Sequence, residues 1–370
     1  MNLRFERIQS DIKKKEIQQI WLAEKIGCSK ESLTYYLQSK NKMKFYQYYI
    51  LVTNVYTYES EQSIIQECLS DYINHTDKQE NLKEALEWSL QNANHELFCL
   101  AISKVDKETS DIFNLLMLRN QKKVDGYELF EKVESLKVNP IKQKDMVALL
   151  YIISLYAYCD MKKYDLTTLH LKWALKRVDK LKTGFIKEAF TIRVKELAAV
   201  SYLKENRILE SMTAANEIII DANVNLYPMM VNSMLNLMAE LYVFTDPNKS
   251  IEYSERALRM FEEMNFTKYQ YRKLSLQATH DFVKITNNKF DNLYLSDPSE
   301  EAHYLAKQKD EKSKEKANQI LNDLDSRQPT SPHRLYYKFL ATGSRDILEV
   351  AKKEFYKSGD FFYCKLVEKV

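Results

Sequence analysis

Along most of this chain apolar residues return every three or four positions, the period of a helix that buries one face. From about Phe45 onward the stripes run nearly to the end. "FYQYYILVTNVY" and "ESEQSIIQECLSDYIN" carry one each, and "KQENLKEALEWSLQNANHELFCLAISKV" carries two, parted by the polar "QNANHE". "KVNPIKQKD" then places Pro140 ahead of a further pair in "MVALLYIISLYAYCDMKKYDLTTLHLKWALKRVDKL". With five glycines and six prolines in 370 residues, turn residues are too scarce for a chain of β-hairpins. The expected fold class is all-α.

Three stretches of the pattern resemble one another. They are "SLYAYCDMKKYDLTTLHLKWALKRV", "AVSYLKENRILESMTAANEIIIDA" and "ELYVFTDPNKSIEYSERALRMFEE". Each has an aromatic-bearing helix, a polar turn and a second helix with a small residue, namely Ala174, Ala215 and Ala257, with Tyr158, Tyr202 and Tyr242 in the first helices. Small residues let helices approach closely while aromatics fill the neighbouring gap, which is the logic of tetratricopeptide-like repeats of irregular length. Stacked pairs of this kind form an α-solenoid with a groove suited to an extended peptide. Asparagines can satisfy a peptide's N–H and C=O together. Asn232 and Asn236, i and i+4 on one face, are therefore candidate peptide contacts, in an asparagine-dense stretch that also holds Asn223 and Asn225.

The N-terminal stripes are shorter. In "WLAEKIGCSKESLTYYL" Leu22, Ala23 and Ile26 precede Gly27, and Leu33, Tyr36 and Leu37 follow it. That spacing fits a helix-turn-helix, in which two short helices cross over a small core. Gly27 serves the turn, Cys28 is the small residue expected to be buried, and Leu33 and Tyr36 are expected to point inward. Ser29 caps the second helix. Its outward residues, Ser29, Lys30, Glu31, Thr34 and Tyr35, are candidate DNA contacts, with Lys40, Lys42 and Lys44 as phosphate anchors beside them. The domains expected are a helix-turn-helix over 1–44, linker helices over 45–75, and a peptide-binding and dimerising superhelical array over 76–370.

Charge sharpens that picture. Residues 1–45 hold ten basic and five acidic residues in a chain whose net charge is +3, so the rest is close to neutral. A basic end on a near-neutral body suits a polyanion such as double-stranded DNA. The five cysteines are scattered without a CxxC pair and read as reduced core thiols in a cytoplasmic protein. No apolar run approaches a membrane span, and the charged N-terminus is no signal peptide. No phosphate-binding glycine loop, HExxH or GxSxG occurs, and the six histidines form no close ligand pair. No catalytic residue, cofactor or metal is expected, and the chain is not read as an enzyme.

In order and spacing, "WLAEKIG", "EALEWSLQNANHELF", "TIRVKELAAVSYLKEN", "YRKLSLQATHDFVKITNNKF" and "HRLYYKFLATGSRDILEVAKKEFYKSGDFF" resemble the peptide-pheromone receptors of Firmicutes. Within these the chain is most similar to the arbitrium receptor (AimR) family of Bacillus phages. The resemblance implies a phage transcription regulator acting in the cytoplasm of the bacterial host. It binds an operator as a homodimer and favours lysis until a short imported signalling peptide inactivates it. It implies peptide contacts at Val200 and Lys204, where relatives carry asparagines, with Asn206 nearby. Arg193 or Lys204 would stand in for an arginine that relatives place near residues 225–229. Asp360 and Glu301 match acidic positions of the family. The chain ends at Val370, short of a helical segment that relatives use in their C-terminal dimer contact. A helical-repeat regulator that binds another protein, such as a response regulator, is the alternative reading.

Overall fold

The computed structural model describes residues 3–38, 43–138, 140–221, 226–264 and 270–368. All regular structure among them is helical. The helices are α1 (Leu3–Lys14), α2 (Gln19–Ile26), α3 (Lys30–Gln38), α4 (Phe45–Val55), α5 (Tyr58–His75), α6 (Gln79–Gln91) and α7 (His95–Ile102). They continue as α8 (Lys107–Asn120), α9 (Gly126–Lys137), α10 (Lys144–Asp160), α11 (Tyr164–Val178), α12 (Phe185–Lys204), α13 (Ile208–Asp221) and α14 (Pro228–Tyr242). The last are α15 (Pro247–Glu263), α16 (Gln270–Thr286), α17 (Pro298–Ala306), α18 (Glu311–Arg327), α19 (Pro332–Thr342), α20 (Arg345–Lys357) and α21 (Cys364–Glu368). The all-α expectation holds.

Two compact units divide the chain. Unit 1 comprises residues 1–117 with 183–189, and unit 2 comprises 118–182 with 190–370.

Unit 1 is built on an aromatic core. Phe45 and Tyr49 of α4 lie 5.9 and 4.7 Å from the Trp88 ring of α6, and Tyr48 stacks on Tyr72 of α5 at 4.8 Å. α1 and α2 also pack on α4, so the short N-terminal helices share this core. Tyr56, just past α4, donates its hydroxyl to Asp11 of α1 at 2.8 Å. Glu84 of α6 is buried and accepts the Tyr46 backbone N–H at 3.2 Å. It therefore meets one of the donors that the first turn of α4 cannot satisfy internally.

Unit 2 repeats helix pairs. α10–α11, α12–α13 and α14–α15 coincide with the three similar stretches, and Ala174, Ala215 and Ala257 are all buried. Two pairs share a device that the sequence does not announce. Ser211, in the first turn of α13, donates to the Ala199 carbonyl of α12 at 2.7 Å. Ser250, in the first turn of α15, donates to the Ala239 carbonyl of α14 at 2.5 Å. Each serine ties the second helix of its pair to the backbone of the first.

α9 starts with a capping box. Asp125 accepts the Glu128 N–H at 2.9 Å, and Glu128 accepts the Asp125 N–H at 3.2 Å. Gly126 follows, and a Cβ there would lie 2.8 Å from Met161 N and 2.9 Å from Asp160 C. Both are backbone atoms, so the contact cannot be relieved by turning a side chain. Gly126→Ala is expected to cost about 1–3 kcal/mol by overpacking, read as a lower urea midpoint at unchanged m-value. An unchanged midpoint would show that α9 can move away from the end of α10 freely.

Candidate functional site

Two places collect the residues singled out by sequence. The first is the turn between α2 and α3. Gly27 is left-handed (φ 74°, ψ 41°). Its N–H bonds the Glu24 carbonyl at 3.1 Å, and the Cys28 N–H bonds Ala23 at 2.9 Å. This paired closure of a helix end is the Schellman motif, and glycine enters it without the strain a side chain would add. Ser29 caps α3 through the Ser32 N–H at 3.1 Å. Leu22, Ala23, Ile26 and Leu33 are buried.

Two expectations for this turn need correction. The inward partner of Leu33 is Leu37, at 4% exposure, while Tyr36 is only half-buried. Side chains four apart lie nearer one line on a helix than side chains three apart. Cys28 is half-exposed, although burial still raises its thiol pKa. Nor are the cysteines all core thiols, since only Cys68 and Cys364 are buried while Cys99 is exposed.

The outer side of α3 presents Lys30, Glu31 and Tyr35 exposed and Thr34 half-exposed. Ser29 is exposed but engaged in the cap, and Thr34 donates to the Lys30 carbonyl at 2.9 Å. Glu31 is held ionised below the ordinary carboxylate range, first by its own backbone N–H and then by Ser29. Lys44 is exposed at the start of α4, while Lys40 and Lys42 lie outside the described residues. Beneath α3, Gln9 and Lys13 of α1 join Thr34 and Gln38 around a cleft of about 230 Å³. Those two α1 residues carried no signal in the sequence, because a lone glutamine or lysine on a helix is ordinary.

The second place is a cavity of about 210 Å³ in unit 2, walled by the first helices of successive pairs. α12 contributes Glu196, Val200 and Lys204, a stripe at four-residue steps. α14 adds Ser233, Asn236 and Glu240, and α16 adds Arg272 and Ser275. Asn236 donates to Thr279 at 3.3 Å, and its carbonyl oxygen is buried without a hydrogen-bond partner. Arg272 donates to the Ser233 hydroxyl at 2.6 Å, the Asn232 oxygen at 3.2 Å and the Met229 carbonyl at 3.3 Å. It makes no ion pair among the described residues, and burial lowers its pKa against the pull of Glu196.

The sequence profile described as AimR transcriptional regulator-like matches residues 65–369. The chain belongs to the AimR-like family. An uncharacterized protein of Bacillus anthracis is 25% identical over 251 residues, 67% of this chain and 92% of its own length. The AimR transcriptional regulator of Bacillus phage phi3T is 24% identical over 269 residues, 71% of this chain and 66% of its own length. The solved structure of phAimR with ligand superposes with a TM-score of 0.72 at 21% identity, over 86% of this chain and 94% of that one. A selenomethionine phAimR structure gives 0.68 at 20% identity, over 98% of this chain and 94% of that one. The family is one of transcription regulators rather than of enzymes. Among the described residues no group of side chains could hold a metal ion, and no helix is long and apolar enough to cross a membrane.

In this AimR-like chain the remaining candidates sort by position. Lys204 lies 3.5 Å from Asp360 and 3.7 Å from Glu240, with its ammonium 4.3 Å from the Tyr363 ring centroid. Two candidates distant in sequence thus form an ion pair. Burial alone would depress the Lys204 pKa, but Asp360 and Glu240 hold it above the ordinary value. Asp360 is pushed up by burial, with Lys204 opposing. Val200 stands at the cavity wall. Asn232 is fully buried, and its amide is spent within the chain, donating to the Ala257 carbonyl at 2.7 Å and accepting from Arg272. It braces the arginine instead of facing the cavity.

Arg193 is buried, donates to the Tyr156 hydroxyl at 3.3 Å, and is not a wall residue. Tyr156 in turn donates to Glu196 at 2.6 Å, so Arg193 reaches the cavity through two intermediaries. Asn206 takes a left-handed φ of 61° at the end of α12, where its role is to end the helix. Glu301 pairs with Lys316 at 2.9 Å on α17 and is not among the wall residues. Arg272 was the residue missed by sequence. Its partners lie 39 to 43 positions earlier, and nothing in "YRKLSLQ" marks it out.

Proposed function

We propose that this chain is an arbitrium-type regulator that binds operator DNA through α3 and is inactivated by a short linear peptide held in the cavity of α12, α14 and α16. It would act as a homodimer in the bacterial cytoplasm, favouring lysis until the peptide accumulates. The observation that supports this best is the polarity of the cavity. Arg272, which makes no ion pair although Glu196 lines the same cavity, and the unpartnered Asn236 oxygen face it, with Lys204 and Glu240 alongside. A peptide carboxylate suits Arg272, a peptide N–H suits Asn236, and a cationic group suits Glu240, with Asp360 behind the wall in its ion pair with Lys204. A regulator has a use for such a site because ligand binding biases one conformer over another.

Operator binding measured by gel shift, with and without hexapeptides encoded in the adjacent small reading frame, tests this reading. A matching peptide should weaken DNA binding or change the oligomeric state in wild type, and Arg272→Ala should blunt the response. Absence of any peptide effect would refute the switch. For the DNA half, Lys30→Glu with Tyr35→Ala is expected to lower operator affinity about tenfold or more, since each direct contact is worth about 1–3 kcal/mol. Unchanged affinity would move the assignment toward a protein-docking role for α2 and α3.

A further inference from the structure

The segment made of α11 and its two flanking turns carries a charge imbalance that the proposed function leaves unused. Between Lys162 and Lys182 there are seven basic residues and two acidic, a surplus of five in a chain whose net charge is +3. Leu171, Ala174 and Val178 turn one side of the helix into unit 2. The opposite side presents Lys172 and Lys176, and Lys180 lies in the turn just past the helix, all three exposed. A four-residue step places Lys172 and Lys176 on one face, about 6 Å apart along the axis, and Lys180 follows beyond Val178. Lys163 and Lys182 flank them, also exposed. None of these five lysines makes an ion pair among the described residues, and the acidic members of the segment are Asp165 and Asp179. Arg177 is committed elsewhere, 3.6 Å from the Tyr151 ring centroid and bonded to the Trp173 carbonyl.

Like charges held in a row repel one another, and a polyanion relieves that repulsion. Lysines carry point charges without the fork of arginine, so a row of them suits evenly spaced phosphates read without regard to sequence. Leu169, Trp173 and Leu175 are also exposed on α11, and the Lys176 ammonium lies 5.0 Å from the Trp173 ring centroid. Three apolar side chains are too few for the core of an ordinary protein interface of about 800 Å² per partner. They are also too few for the broad apolar face of a helix lying in lipid.

We infer that the outward face of α11, with the turn that follows it, is a second DNA-contacting surface, binding the phosphate backbone of double-stranded DNA independently of base sequence. The inference rests on DNA being a partner, as proposed above, but not on α3 being the reader. The test uses the full chain and a labelled 40-base-pair duplex of mixed sequence, with affinity measured across a salt series. Lys172→Gln/Lys176→Gln/Lys180→Gln should make the dependence of log affinity on log salt shallower by about 2–3, because each phosphate contact contributes ~0.9 to the slope. Affinity near 0.1 M salt should fall at least tenfold, with thermal unfolding unchanged because the three positions are exposed.

Lys30→Glu is the comparison. If it weakens duplex binding while the triple variant keeps wild-type slope and affinity, the α11 surface is overturned and the α3 reading stands. If the triple variant weakens binding and Lys30→Glu does not, the reverse holds. Phosphatidylglycerol vesicles serve as the other probe. Vesicle binding that depends on the three lysines, with duplex binding unaffected, would overturn the assignment in favour of a lipid surface.

Discussion

Lys204→Met is expected to destabilise unit 2 by about 3–5 kcal/mol, the range for removing one partner of a buried ion pair. The loss exceeds that of a surface pair because two carboxylates depend on one ammonium. Asp360 already has one oxygen without a hydrogen-bond partner, and Glu240 also accepts the Tyr363 hydroxyl. Methionine keeps the volume and removes the charge. The deficit should depend on pH. Asp360 has a folded pKa raised by burial, and loss of Lys204 raises it further. A carboxyl shifted upward is favourable to folding while protonated and becomes unfavourable as pH rises above its unfolded value. Urea unfolding should therefore show a larger deficit at pH 8 than at pH 5. Adding Asp360→Asn should restore at least about 1 kcal/mol by removing the stranded charge. A small deficit, the same at both pH values, would show that Asp360 and Glu240 do not rely on Lys204.

Glu84→Gln should act in the opposite direction, stabilising unit 1 by about 3–4 kcal/mol at pH 8 and scarcely at all near pH 4. Burial pushes the Glu84 pKa up to about 7, opposed by the Tyr46 N–H and Lys44 and assisted by Glu80. Its unfolded value is near 4.3, and each unit of difference is worth about 1.4 kcal/mol. Since the folded value is the higher, the protein loses stability as pH climbs through the interval between them, and the loss is complete above pH 7. Glutamine retains an acceptor for Tyr46 and has no proton to lose. The gap between variant and wild type should open from pH 4 to 8 in urea titrations and then level off. A gap that is constant with pH would mean that Glu84 is ionised throughout in the folded protein.

The helices and their pairing were legible because the signals are local. Ala174, Ala215 and Ala257 mark the second helices of the three pairs, and all are buried. Gly27 marks the turn because a left-handed residue there has a strong preference for glycine. The inward face of α3 was harder to read. Tyr36 and Leu37 are both apolar enough for the core, and only the packing against α1 and α2 decides between them. The cavity was legible only in part. Val200, Lys204 and Asn236 line it, but Asn232 is spent on bracing Arg272, a residue that looked like any other helix-surface arginine. Whether a polar side chain faces a ligand or a neighbour depends on contacts dozens of residues away. Periodicity can give the face of a helix but not what stands across from it. The pairing of Lys204 with Asp360 is of that kind, since it joins α12 to a turn 156 positions later.

The serine bonds inside the helix pairs bear on how such a protein can change over time. Ser211 and Ser250 each bond to a backbone carbonyl, and Ala215 and Ala257 provide room rather than shape. A carbonyl is present whatever residue carries it, so these attachments demand little of the residue opposite. Mutations can accumulate on the facing helix without loosening the pair. A lineage built on such joints can exchange most of its side chains, and with them its ligand, while the backbone arrangement is inherited nearly intact.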